Sequence, residues 1–248
     1  MRTGNPALNE KTFQNFDHSL AASGAATMTL RGTATKTMVG LAIIVAAGAF
    51  TWNLVFQGNP LAMPLTFGGA IVGLIIALAT SFKPTWAPLT VPLYAIAEGF
   101  LLGGLSAIYQ NAFEGIVMQA VFLTLGTLFA LLLAYQSGVI RATENFKLGV
   151  VAATGGIMVA YLAVWILGFF NIQVPYIHGS GLIGIGFSLF VVIIAALNLV
   201  LDFDFIETGV EQGAPKYMEW YGAFGLLVTL IWLYIEILRL LAKMNSRD

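Results

Sequence analysis

Residues 182–207 read LIGIGFSLFVVIIAALNLVLDFDFIE. From Leu182 to Leu201 there is no ionisable side chain, and then Asp202, Asp204 and Glu207 follow in quick succession. A helix rising ~1.5 Å per residue needs about 20 apolar residues to cross a hydrocarbon core ~30 Å thick, so this stretch reads as a membrane span with acids at its end. Asn198 and Asp202 are four residues apart and share one helix face, whereas Asp204, Glu207 and Glu211 share another. The spacing predicts that Asp202 turns inward with Asn198. Asp204 with Glu207 and Glu211 is expected to form an acidic rim on the cytoplasmic surface, a solvated helix end being the plainer reading of Asp204 and Glu207.

Working outward from this span, six more apolar stretches of similar length appear, giving predicted spans at 37–56, 61–82, 86–109, 114–135, 147–169, 182–203 and 217–241. The composition agrees: 58% of the 248 residues are hydrophobic, 9% are charged, 27 are glycine, and the mean hydropathy is +0.87. Such a chain is an all-α, polytopic integral membrane protein with seven transmembrane helices. The predicted organisation is an N-terminal tail (1–36), a transmembrane domain (37–243) and a short C-terminal tail (244–248). The stretch from Gly4 to Ser19 is polar and lacks the apolar core of a secretory signal, so the first tail reads as cytoplasmic and mostly disordered. Its Ala/Ser/Thr/Gly run, 21–35, has a short interfacial helix as the alternative.

Basic residues set the expected orientation. Arg2, Lys11, Arg31, Lys36, Lys83, Arg141, Lys147 and Lys216 fall before the first span or in alternate connections, and 57–60, 110–113 and 170–181 carry none. The positive-inside rule therefore predicts a cytoplasmic N-terminus and, after seven spans, an external C-terminus; Lys243 and Arg247 run against it, and a re-entrant last helix or one weaker span that does not cross is the alternative. Net charge is −1 with dispersed basic residues, which excludes a nucleic-acid partner; the bilayer is the implied one. Absence of cysteine excludes disulfides and thiol chemistry, and two histidines, His18 and His178, do not suggest a zinc site.

An ionisable group within hydrocarbon is costly and usually faces a bundle interior or a water-filled cavity. Glu98 falls twelve residues after Trp86, near the middle of the third span. It is a candidate for an ion or proton pathway, with a structural hydrogen bond from a protonated carboxyl as the alternative. Folding the connection between the sixth and seventh spans back on itself brings Glu219 to about the depth of Asp202, where two carboxylates would share a proton or a divalent cation. Equally, Lys216 stands three residues before Glu219, and an interfacial ion pair anchored by Trp220 and Tyr221 explains it as well. Glu236 and Arg239 are three apart and most simply neutralise each other, with gating as the alternative role. Glycine pairs spaced by four, Gly69/Gly73 and Gly99/Gly103, predict close helix packing; so do Gly181, Gly184 and Gly186, which lack the context of a dinucleotide loop.

No enzyme is expected. The spans contain no His-Glu-x-x-His, no Gly-x-Ser-x-Gly with a partner histidine, and no paired aspartates in the motifs of membrane aspartyl proteases. The acids from Asp202 do not form an EF-hand, because Ile206, Glu207 and Gly213 stand where that loop needs an oxygen ligand, glycine and glutamate.

The run Asn198 to Glu207, the segment Pro215-Lys-Tyr-Met-Glu-Trp-Tyr221, Tyr94-Ala-Ile-Ala-Glu-Gly99 and the closing Tyr234-Ile-Glu-Ile-Leu-Arg-Leu-Leu241 together resemble the Bax inhibitor-1 superfamily in its bacterial branch. The resemblance covers about residues 30–243. It implies six helices wrapped around a central C-terminal helix, and a pH-sensitive calcium leak in the bacterial cytoplasmic membrane. In that family an aspartate late in the sixth helix pairs with one in the seventh. Asp202 matches the first and is the implied calcium contact; Thr229 stands at the second position, so Glu98, Glu219 or Glu236 would have to replace it. No basic residue in the second span before Lys83 corresponds to the arginine latch of some members. No cofactor is implied, calcium entering only as transported ion. The alternative function is a non-transporting interaction protein that modulates a membrane protease or a stress response through its N-terminal tail.

Overall fold

A computed structural model describes residues 27–170, 179 and 181–246, so the expectations for the first 26 residues and the last two lie outside the described residues. Seven long helices account for nearly all of it: α1 (Leu30–Phe56), α2 (Ala62–Phe82), α3 (Ala87–Ala112, entered through a 3-10 turn at Pro84–Trp86), α4 (Ile116–Gln136), α5 (Glu144–Phe169), α6 (Leu182–Glu211) and α7 (Met218–Asn245). All seven are long and apolar enough to cross a membrane, and the chain is a seven-helix membrane protein. No strand forms among the described residues, apart from an isolated antiparallel bridge between Thr27 and Pro215.

Two helices run well beyond their predicted bounds, α1 at its start and α6 at its end. α1 starts at Leu30 rather than 37, because Thr29 in extended conformation caps it, its Oγ1 accepting the Gly32 amide at 3.0 Å. α6 continues past 203 to Glu211, since Asp202, Phe203, Phe205 and Ile206 are all buried and the acids do not break the helix. Asp202 therefore sits inside a helix rather than at its end. The chain reverses after α6 at Gly213, whose φ of +66° is open to glycine at little cost, while the Ala214 amide returns to the Gly209 carbonyl at 2.9 Å.

The described residues fall into two compact units, one comprising 27–112 with 202–228 and the other 113–201 with 229–246. In the first, α1 and α2 both pack on α3. A Cβ added at Gly103 would meet the Gly48 carbonyl oxygen of α1 at 2.1 Å, and one at Gly69 would meet the Ala97 oxygen of α3 at 2.4 Å. The spacing of four thus marks backbone-to-backbone contact, as small residues permit in a bilayer. Gly181 and Gly186 face open space among the described residues, so the packing expectation does not extend to them. In the second unit Ile157, Val191 and Ile194 form a small core, with Ala153, Tyr161, Phe187, Leu197 and Trp232 packed around it.

Enclosure is uneven. In α3 and α7, 61% of the apolar window is buried, against 17% in α1, α4 and α5. Exposed side chains such as Phe67, Ile71 and Leu74 on α2 and Phe122, Phe129 and Leu133 on α4 supply a lipid-facing surface. That α3 is as enclosed as α7 was not legible in the sequence, and it bears on Glu98.

Candidate functional site

The α6 face expected to turn inward does so. Asn198 is 2% exposed and donates from its side-chain amide to Thr154 Oγ1 on α5 at 2.9 Å and to the Ile194 carbonyl at 2.8 Å. One turn later Asp202 is fully buried. On the other face Asp204 is half-buried, and Glu207 and Glu211 are exposed.

Glu219 is fully buried as well, but not beside Asp202. The Phe205 and Tyr221 rings lie 6.3 Å apart, and a Cβ on Gly222 would meet Ile206 Cγ1 at 3.1 Å, which sets the antiparallel register of α6 on α7. That register puts Asp202 level with residues 224–226, about 9 Å along the helix from Glu219 at ~1.5 Å per residue. The shared depth expected from a simple fold-back is therefore corrected: the reversal at 212–217 is compact, and Glu219 stands at its mouth. The carboxylate accepts from the Thr29 amide at 3.0 Å, Thr29 Oγ1 at 2.8 Å and Lys216 Nζ at 2.7 Å, and its second oxygen pairs with Lys36. Lys216 was legible three residues away. Lys36 and Thr29 were not, because their contact spans 183 and 190 residues of sequence.

Glu98 is 8% exposed, in the middle of α3, with the Tyr94 hydroxyl one turn before it as hydrogen-bond partner. Its carboxyl lies against α2 where Gly73 leaves room; a Cβ there would stand 2.6 Å from Glu98 Oε1. Tyr94 in turn meets Phe224 of α7 edge-on, with ring centroids 5.2 Å apart at 79°. Among the described residues Glu98 makes no ion pair. The one hydrogen bond described for it comes from a neutral donor, the Tyr94 hydroxyl.

Glu236 is 2% exposed and is neutralised as its spacing suggests, Arg239 Nη1 reaching Oε1 at 2.9 Å. Tyr161 of α5 completes a triangle the sequence did not reveal: its hydroxyl donates to Glu236 Oε1 at 3.0 Å and accepts from Arg239 Nη1 at 2.7 Å. A turn further on, Lys243 donates to Ser188 Oγ at 2.8 Å and to the Gly184 carbonyl at 3.1 Å, tying α7 to α6. Removing one member of a buried pair strands the other, which typically costs 3–5 kcal/mol. Because the Arg239 side chain is 30% exposed, Arg239→Met is expected to destabilise the detergent-solubilised protein by only ~2–3 kcal/mol. The double change Arg239→Met with Glu236→Gln should recover most of the loss in melting temperature; no recovery would show that the pair is not what holds the site.

No group of three or more His, Asp or Glu side chains is placed to hold a metal ion among the described residues.

The sequence profile of the family described as Bax inhibitor 1 like matches residues 5–246. No curated protein and no solved structure matches the chain.

Proposed function

The chain belongs to the Bax inhibitor 1 like family, and from that premise we propose that it is a pH-sensitive cation leak, carrying calcium, in a bacterial cytoplasmic membrane with its N-terminus on the cytoplasmic side. The observation that supports this reading is Glu98. Glu219 and Glu236 each bind basic side chains, whereas Glu98 is buried at mid-span with a tyrosine hydroxyl as its hydrogen-bond partner and no cation among the described residues. A carboxyl left that way in the interior of a membrane protein is expensive, and ion pathways are the common reason to keep one. Asp202, buried in α6 at the level of residues next to Phe224, is the second contact, and Tyr94 on Phe224 links the two regions. Hard carboxylate oxygens suit Ca²⁺.

The direction of the pH effect follows from competition. A proton and a cation seek the same oxygens, so acidification removes the charge that draws the ion in, and flux should rise as pH rises. Calcium influx into proteoliposomes with an entrapped dye, measured from about pH 6 to about pH 8, tests the reading. Asp202→Asn is expected to lower influx about tenfold at the upper pH, equivalent to ~1.4 kcal/mol of barrier, and to flatten the profile. Folded protein that leaks no more than empty liposomes at any pH would overturn transport and move the reading to a non-transporting interaction protein.

A further inference from the structure

We propose that residues 27–36 form a strap latched across the turn between α6 and α7 by Glu219, and that release of this latch opens the leak. The inference rests on the transport reading above for its consequence, but not for its geometry.

The strap is joined to the turn in three ways. Its backbone lies along the turn: Thr27 bridges Pro215, and the Met28 amide donates to the Ala214 carbonyl at 2.7 Å. Met28 is 2% exposed, and its Cε lies 3.3 Å from where a Cβ of Gly222 would be. The third join is polar and has a single centre. Glu219 gathers the amide and hydroxyl of Thr29 and the ammonium of Lys36 from the strap side, and Lys216 from the turn side. Thr29 also caps α1, so one residue sets both where that helix begins and where it is fastened.

Several features suit a latch that opens. Glu219 lies in the first turn of α7, where a negative charge is favoured by the helix dipole. Its two cations sit nearer the surface than it does: the Lys216 side chain is 50% exposed and that of Lys36 is 19%, against 0% for Glu219. Both lysines can turn to water if the carboxylate withdraws, so release does not strand a buried cation. At Gly32 a Cβ would stand 2.0 Å from Glu219 Oε1, so the strap closes onto the carboxylate with no room for a side chain. The turn so fastened is continuous with the segment of α6 that carries Asp202, and Phe205 and Ile206 pack on Tyr221 and Gly222 between them. Freeing the turn therefore frees the end of α6 next to the carboxylate of the proposed pathway.

The chain has no cysteine, so an introduced pair is unambiguous. Bridged antiparallel partners have Cα atoms about 4.5–5.5 Å apart, within the ~4.4–6.8 Å a disulfide spans, and Thr27→Cys with Pro215→Cys should oxidise to a closed strap. In proteoliposomes the oxidised full-length protein is expected to leak at least about fivefold less than the same protein after dithiothreitol, while wild type ignores the reductant. In parallel, Glu219→Gln should speed hydrogen exchange at the Met28 and Thr29 amides at least about tenfold without changing exchange in α4, and should raise the leak. Equal leak from oxidised and reduced protein, or exchange unaltered by Glu219→Gln, overturns the strap while leaving transport standing. No leak from any form overturns transport and the strap's control of it together, a result distinguishable from the first.

Discussion

Gly103→Ala is expected to remove most of the folded protein from the membrane fraction. The added methyl would lie 2.1 Å from the carbonyl oxygen of Gly48 and 2.7 Å from its carbonyl carbon and Cα. All three are backbone atoms of α1, so no side chain can rotate aside and the two helices must separate. Overpacking costs typically 1–3 kcal/mol, and a contact that only rigid helices can relieve belongs at or above ~3 kcal/mol, about a hundredfold in the folded-to-unfolded ratio. In a bilayer, van der Waals contact at small residues is a main force between helices, so the loss extends along the α1–α3 seam. Gly126→Ala on α4 is the control, because nothing lies within 4 Å of its added Cβ. Thermal unfolding in detergent, followed by tryptophan fluorescence, should separate the two. Equal melting temperatures would show that the seam tolerates the methyl and that the glycine contact is not structural.

Glu98→Gln is expected to abolish most calcium flux while leaving the protein folded. Glutamine keeps the shape that fits beside Gly73 and an oxygen that can accept from Tyr94, so the only loss is the charge at mid-span. A loss of at least about tenfold in influx, ~1.4 kcal/mol of barrier, is the expected result, with the melting temperature unchanged or raised because an uncompensated buried carboxyl has been removed. Glu98→Ala is the less informative change, since it also opens a void. Wild-type flux from folded Glu98→Gln protein would remove Glu98 from the pathway and leave its contact with Tyr94 as a purely structural one.

What could be read in advance divides by sequence distance. Asn198 with Asp202, Glu236 with Arg239, and Lys216 with Glu219 are three or four residues apart, and the turn of a helix alone makes each set neighbours. The glycine pairs announced close packing for the same reason, although nothing local told which helix would approach: Gly48 of α1 meets Gly103, and Glu98 of α3 fills the space at Gly73. Lys36 and Thr29 on Glu219, and Tyr161 on Glu236, have no local signature, because the residues between them are whole membrane spans.

Seven apolar stretches, their polar breaks and the placing of acids within them determined by themselves that this is a seven-helix membrane protein, since hydrocarbon admits few other solutions for the backbone. Tertiary structure alone decided what joins these local pairs, and which buried acid is left without a cation among the described residues. A carboxylate finds its counter-charge in three dimensions: Glu219 takes Lys36 from α1, Glu236 shares Arg239 with Tyr161 from α5, and Glu98 at the centre of α3 receives a tyrosine hydroxyl and no cation among the described residues.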